Sequence, residues 1–388
     1  MSKRLATGSR RSAAAAPLRI LFTATSYPSS DADWKGLFIQ HLVEALAKRG
    51  DVTLQLWLPP GDTPARATRT TTPGDAAWLK ALMEAGGIAH LLRNHKSAGA
   101  AAVCRLLWRL RRTYRHGDCD LYHINWLQNA LPLPNDGKPA LISVLGTDLR
   151  LLGLPGMGAL LRRAMRGRNV MLCPNADWMV PQLTQGFGNV ARVVPVPFGI
   201  DASWYRIERE VDSGSPARWL VVTRLTAGKL GPLFEWCAPL FAGKQREMHL
   251  FGPMQEAVAV PEWVHYHGSA TPQQLCRDWF PKACGLLTLS QHAEGRPQVM
   301  LEAMAAGLPI LASTLPAHED IVIHTRTGWL CHDPASLAEG IDMIEDPARN
   351  QDMGRQARGW VQEHIGDWDD CAARYASLYD VLSTGNAL

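Results

Sequence analysis

The sequence predicts an α/β chain of two doubly wound parallel-sheet domains, on three observations. A length of 388 residues is more than one ordinary core fills and fits two domains of about 150 to 200 residues. Residues 18–57 run apolar strand, loop, amphipathic helix, strand, the usual opening of such a sheet. Residues 284–313, CGLLTLSQHAEGRPQVMLEAMAAGLPILAS, repeat the pattern as strand, loop, helix, turn, strand.

In chain order, LRILFTA (18–24) is the first buried strand and SYPSSDADWKG the loop after it. LFIQHLVEALAKRG (37–50) is a helix closed by Gly50, and VTLQLWLP the second strand. Residues 60–75, rich in Pro, Thr, Arg and Gly, are expected to be a mobile loop. Residues 91–117 read as one helix, with Arg105, Arg109 and Arg112 along a stripe and Arg111 and Arg115 beside it. Such a helix either lies on an anionic membrane or packs normally with a solvated basic face. A second cluster, Arg162, Arg163, Arg166 and Arg168, favours the membrane. CDLYHINWLQNALPL and PALISVLGTDLRLL supply two more strand ends, carrying His123 and Asp148. Taken alone, His123 reads as a satisfied strand-end histidine.

RVVPVPFGID (192–201) is a strand and turn closing the first domain, and ARWLVVTRLTAGKLGPLFEW (217–236) opens the second. There Arg224 and Lys229 share one loop. A forked guanidinium and a compact ammonium together suit a diphosphate that gains charge as it leaves. MHLFGP (248–253) is a further strand and turn; His265 and His267 alternate on the next strand and read as structural.

In the 284–313 segment, Pro297 suits the first helical position, where its missing N–H costs nothing, and Gly307 and Pro309 end the helix. A loop at the carboxyl end of a parallel strand, opening a helix, is where open α/β sheets take ligands, and the free N–H groups there favour an anion. Glu294 lies just before the helix and Glu302 within it. One carboxylate can meet a group beyond the tip and the other a group alongside, the layout of a nucleotide sugar. From spacing alone, a helix with one capping and one exposed glutamate is the favoured reading.

Composition narrows the classes. Eight scattered cysteines without a CxxC pair suggest reduced thiols in a cytosolic setting, and no apolar run approaches a membrane span. Residues 1–16 are basic and Ser/Ala-rich and are expected to be a disordered tail. Residues 1–200 carry 25 Lys/Arg against 12 Asp/Glu, whereas residues 201–388 carry 15 against 24. The first half therefore suits an anionic partner. No nucleic-acid-binding module accompanies its arginines.

EGRPQVMLEAMAAGLPILAS closely resembles the Glu-x7-Glu signature of family 4 of the retaining glycosyltransferases. The resemblance spans roughly residues 18–380 and implies the GT-B fold: two Rossmann-like domains facing across a cleft, with the last helix crossing back to the first domain. It implies an acceptor-side domain of residues 17–200 plus 366–388 and a donor domain of residues 201–365. By resemblance, Glu294 contacts the donor sugar and Glu302 the ribose. Main-chain N–H groups of Gly295, Arg296, Pro297, Gln298 and Val299, as far as each has one, hold sugar and phosphate. Arg224 and Lys229 match the family's Arg-x4-Lys grip on the diphosphate. LGTD resembles the family's HG(S/T)D segment, so Asp148 is a candidate orienter or proton acceptor, with His123 a second acceptor-side candidate. Leu145 stands where that segment has its histidine, and only Gly36 remains of the glycine-rich loop that faces the phosphate.

The implied activity is transfer of a hexosyl group, with retention and without a metal or cofactor, from a UDP- or GDP-sugar to a saccharide hydroxyl. The charge division points to a lipid-linked acceptor in bacterial surface polysaccharide or glycolipid assembly, met in the cytoplasm at the inner face of the plasma membrane. The alternatives are a sugar-nucleotide epimerase of the same architecture and a non-catalytic scaffold.

Overall fold

The computed structural model describes residues 16–30, 33, 35–210 and 216–385. Apart from Ala16, the expected tail lies outside the described residues. The chain forms two compact units, residues 1–198 with 368–388, and residues 199–367.

In the first unit, β1 (Leu18–Thr23), β2 (Val52–Trp57), β3 (Thr68–Arg69), β4 (Leu121–Asn125), β5 (Ala140–Val144), β6 (Val170–Pro174) and β7 (Arg192–Val193) make one sheet. Its order is β3-β2-β1-β4-β5-β6-β7, and every pair is parallel. Parallel strands need cover on both faces. The helices α1 (Leu37–Lys48), α2 (Pro73–Glu84), α3 (Gly87–Asn94), α4 (Lys96–His116), α5 (Met157–Met165) and α6 (Val180–Phe187) connect them. Alternation along β1 divides the core. Ile20 and Phe22 pack with Leu42 and Leu46 of α1, while Leu21 faces the layer holding Leu106, Leu110 and Tyr114 of α4.

The second unit comprises α7 (Ala202–Tyr205), β8 (Ala217–Val222), α8 (Ala227–Leu230), α9 (Leu233–Phe241), β9 (Arg246–Phe251), β10 (Val264–Tyr266), α10 (Pro272–Gln274), β11 (Gly285–Thr288), α11 (Gln298–Ala305), β12 (Ile310–Ser313), α12 (Pro316–Glu319), β13 (Gly328–Cys331), α13 (Pro334–Glu345) and α14 (Pro347–His364). Its parallel sheet runs β10-β9-β8-β11-β12-β13. The order reverses direction between β8 and β11, the topological switch point where open α/β sheets leave a crevice for ligands. Leu220, Leu286 and Ile310 point into one core layer and Val221, Leu287 and Leu311 into the other. The chain then returns to the first unit as α15 (Trp368–Thr384), whose Cys371, Tyr375 and Tyr379 share the core layer of α1.

Four local expectations are corrected. The helix expected over 91–117 is two helices, because His95 (φ −142°, ψ 74°) leaves the helical region and lets α3 turn onto α4. Only part of the arginine group is free to face outward. Arg109 pairs with the buried Asp75, Arg111 donates to Pro132 and Leu133 carbonyls, and Arg112 lies 3.6 Å from Asp75, leaving Arg105 and Arg115 exposed. Residues 60–75 are held: β3 pairs with β2, and the Arg69 guanidinium donates to the carbonyls of Leu58, Pro59 and Gly61. The strand expected from residue 192 is brief, since Pro195 and Pro197 have no N–H for the ladder, though Val194 and Val196 still donate to Leu172 and Pro174.

Candidate active site

The switch point of the second unit brings two loops together. After β8, Thr226 caps α8 by accepting from the Lys229 N–H at 3.3 Å, and Glu256 accepts from Ala227 N–H at 2.8 Å. After β11, residues 289–296 lead to α11. The loops are joined directly by Gln291 N–H donating to Gly228 O at 2.9 Å. Gly231 has φ +55°, and a Cβ there would stand 2.1 Å from Leu289 O. Only glycine lets the chain after Lys229 pass this close to the end of β11.

That approach sets Lys229 Nζ 2.5 Å from Glu294 Oε2, with side chains 13% and 19% exposed. Half-screened from water, the pair attracts more strongly than at an open surface. Arg224 lies on the same loop as Lys229, half-buried, with Nη1 3.5 Å from Gln255 Oε1. Pro297 is the cap residue of α11, extended at φ −67° and ψ 112°, rather than its first helical residue, and no side chain caps the helix. The first-turn N–H groups of Gln298 and Val299 therefore remain the anion-facing donors expected of a helix start.

The side chains around this tip have other partners. Arg296 is 5% exposed and forms a salt bridge with Asp320, itself 6% exposed, its Nε 2.9 Å from Oδ2. Gln298 donates its amide to Gly199 O at 2.8 Å. Glu302 is half-buried on α11, more than a turn beyond the tip, and its charge raises the pKa of the Cys276 thiol after the larger effect of burial. Lys229 and Glu294 are thus in direct contact, while Arg224 shares the loop that leads to Lys229 and Glu302 lies within α11.

His318, at the end of β12's following helix, was not foreseen. It is fully buried, with Nδ1 2.7 Å from Ser313 O and no hydrogen-bond partner for Nε2 among the described residues. Burial holds its pKa below the ordinary histidine value, opposed by the Ser313 carbonyl and the nearby Glu294 carboxylate and assisted by Lys229. A histidine in PAHED carries no signal of this, because its surroundings come from β11, β12 and α8.

The first-unit candidates are corrected by burial. His123 is fully buried, with Nδ1 2.5 Å from the Tyr379 hydroxyl and Nε2 2.9 Å from Ser143 Oγ. Ser143 Oγ in turn lies 2.9 Å from the Tyr375 hydroxyl. This is a core histidine clamping α15 to the sheet, not an acceptor-side group. Asp148 is 3% exposed and accepts from Leu127 N–H at 3.0 Å and Leu145 N–H at 3.1 Å. Burial raises its pKa against those amides. Its carboxylate closes the turns after β4 and β5 and has no open face toward an incoming hydroxyl. Gly36 starts α1 at φ +79°, where a Cβ would come within 2.8 Å of Ser26 and Tyr27 backbone, which accounts for the glycine without a ligand.

Burial pushes His123 down to about 3. Because the folded ring resists a proton that the unfolded ring accepts below about pH 6.5, this contribution to stability is full above that pH and is lost as pH falls toward 3. His123→Gln is expected to flatten the slope of unfolding free energy between about pH 4 and 6 by about 1.4 kcal/mol per unit. Urea unfolding of the two proteins across that range checks it.

Comparison with known proteins places this geometry. Residues 255–360 match the family profile described as "Glycosyl transferases group 1". D-inositol 3-phosphate glycosyltransferase of Streptomyces avermitilis is 37% identical over 125 residues, 31% of this chain and 26% of that protein. Spore coat protein SA of Bacillus subtilis is 30% identical over 139 residues, 35% of each chain. The matched region thus spans about a quarter to a third of these relatives' lengths. Sucrose-phosphate synthase from Thermosynechococcus elongatus has a similar fold, with TM-score 0.69 and 16% identity over 95% of this chain and 100% of that one. Anabaena HepE, solved with UDP-glucose, gives TM-score 0.61 and 14% identity over 94% and 100%. Residues 255–360 of the second unit are therefore similar to group 1 glycosyltransferases, and the chain has the α/β architecture of two parallel sheets seen in GT-B glycosyltransferase structures.

Proposed function

We propose that this protein is a retaining glycosyltransferase, of the family 4 kind, that moves a hexosyl group from a UDP- or GDP-sugar to a saccharide hydroxyl. The observation that carries this reading is the Lys229–Glu294 contact of 2.5 Å beside the uncapped start of α11, at the sheet's switch point. A diphosphate arriving there meets an ammonium, the neighbouring Arg224 and a helix N-terminus. As Lys229 turns to the phosphate, Glu294 is released to accept hydrogen bonds from the donor sugar, and Glu302 takes the ribose hydroxyls. The UDP-glucose bound by the similarly folded HepE is in keeping with such a donor.

In the proposed front-face reaction the bond from the anomeric carbon to the diphosphate oxygen breaks and a bond to the acceptor oxygen forms on the same face. The acceptor proton passes to the departing diphosphate. Lys229, Arg224 and the helix tip stabilise the charge that develops on it, the kind of preorganised electrostatics that dominates many transfers. This chemistry asks for neither a metal nor a cofactor, and no carboxylate has to stand opposite the leaving group as in a retaining glycosidase.

The acceptor is proposed to be lipid-linked and met at the cytoplasmic face of an anionic membrane. In support, α3 buries none of its residues, Leu92 is 40% exposed, Trp108 is 59% exposed with Arg112 stacked 5.5 Å away, and Leu160 is 56% exposed. Exposed apolar side chains interleaved with arginine are the composition of an interfacial surface. Among the described residues no helix is long and apolar enough to cross a membrane.

A thermal-shift screen against UDP, GDP and ADP, followed by incubation of the matching nucleotide sugars with and without lipid-linked saccharides, tests the reading. Stabilisation by one nucleotide and sugar transfer only with acceptor is expected. A free altered sugar nucleotide formed without acceptor would favour an epimerase, and no nucleotide binding would favour a scaffold.

A further inference from the structure

The sheet of the first unit has a switch point of its own. Its order reverses between β1 and β4, which opens a crevice outside the carboxyl ends of those two strands. With His123 and Asp148 turned inward, neither serves this crevice. Trp126, directly after β4, has φ +68° and ψ 130°. A bulky residue takes such a conformation only where its surroundings impose it, and such positions cluster at ligand sites.

The contacts that impose it are plain. Trp126 N–H donates to Ser143 O at 3.0 Å, and Trp126 O accepts from Asn129 N–H at 3.1 Å. The following N–H, of Leu127, donates to Asp148 at 3.0 Å. Held on both sides, the chain turns from β4 into the helical turn at Leu127–Ala130 through this one residue. Glycine would turn there at less strain, so the presence of tryptophan points to a use for the side chain.

That side chain is half-buried and packs partly on the core layer of α1. Phe38, in the first turn of α1, meets it edge-on, with centroids 6.2 Å apart and planes at 71°. Phe38 in turn stacks on Phe198 at 5.3 Å. The chain leaving β1 and the chain leaving β4 therefore each bring an aromatic ring to the switch point. The buried Trp57 and Trp219 donate their indole N–H groups to Asp75 and Glu345, at 3.2 and 3.0 Å. The Trp126 indole N–H has no hydrogen-bond partner among the described residues and is not buried, so it is a donor offered to solvent. An apolar ring face with a wet donor at its edge suits a ligand of the same double character. A pyranose is one: its C–H groups cover the ring and its hydroxyls meet the donor.

We propose that Trp126 is the platform for an acceptor saccharide, one hexose ring lying on the indole with a hydroxyl accepting from its N–H, and Phe38 bounding the subsite. This rests on the transferase reading and adds to it the residue that selects a pyranose as acceptor.

The test is saturation-transfer NMR on the full chain without nucleotide. The probes are methyl glucoside, galactoside, mannoside and N-acetylglucosaminide, all as pyranosides, with sorbitol as the acyclic control. Irradiating the aromatic protons should saturate the C–H groups of one face of at least one pyranoside and leave sorbitol untouched. Trp126→Gly and Trp126→Asn, both residues that accept positive φ, should weaken that binding at least tenfold while melting cooperatively. Trp126→Phe, which keeps a ring, should restore most of it. Nucleotide affinity, measured separately, should be unchanged in all three; its absence in wild type would count against the transferase reading and not against Trp126. If wild type binds no pyranoside, or a folded Gly or Asn variant binds as tightly as wild type, or Phe is no better than Gly, the proposal is wrong.

Discussion

Replacing Lys229 with alanine is expected to lower kcat by roughly 10²- to 10³-fold, the usual cost of removing one preorganised donor to a developing charge. The effect should fall mainly on kcat, because the leaving diphosphate carries more charge in the transition state than in the bound donor. The folded state should survive. Removing the ammonium leaves Glu294 without its 2.5 Å partner, but a carboxylate 19% exposed can recover water. Steady-state kinetics with the true donor, beside a melting curve within a few degrees of wild type, checks both halves. Wild-type turnover in Lys229→Ala would remove this residue from the chemistry.

The second large effect is on stability. Asp320→Ala strands the Arg296 guanidinium, 5% exposed, without its principal anion. Breaking a buried pair from one side costs about 3–5 kcal/mol. Replacing both partners, Arg296→Met with Asp320→Leu, should recover most of that loss, since two apolar side chains need no desolvation. Nucleotide affinity should not recover. The bridge fixes residue 296 beside the start of α11, and the Gln298 and Val299 N–H groups are useful to an anion only while that start is held. Urea unfolding and nucleotide titration of the three proteins measure the two effects separately. A double variant that regains affinity along with stability would show that the bridge has no part in shaping the tip.

How much of this could be read from the chain depends on how far apart the interacting groups lie. The strand–loop–helix segments around Lys229 and Glu294 follow from short-range signals: apolar runs, a loop of polar residues, Pro297 before a helix, Gly307 after it. That the two side chains touch does not. They are 65 residues apart, and only the pairing of β8 with β11 brings their loops together. Gly231 carries no special signal in the local pattern, and the nearness of Leu289 O explains it.

The first-unit candidates went the other way. His123 and Asp148 were polar residues at strand ends, where ligands are often met. Their distant partners, Tyr379 at 256 residues' separation and the Leu127 amide at 21, are invisible to any local pattern. The arginine-rich helix shows the same limit: its periodicity was plain, but the buried Asp75, 34 residues before Arg109, claims part of its charge. Residues 60–75 have a loop's composition, yet one arginine satisfying three carbonyls gives them a fixed course. His318 had no signal at all, since its importance lies only in an unpartnered nitrogen beside a charged pair.

The central claim is that the Lys229–Glu294 pair opens to receive a diphosphate at the tip of α11. An experimental structure with the stabilising nucleoside diphosphate bound tests it most directly. The expected result is Lys229 Nζ turned away from Glu294 and about 2.7–2.9 Å from a phosphate oxygen, with the Gln298 or Val299 N–H facing the same group. A nucleotide bound elsewhere, with the 2.5 Å pair intact, would contradict the account.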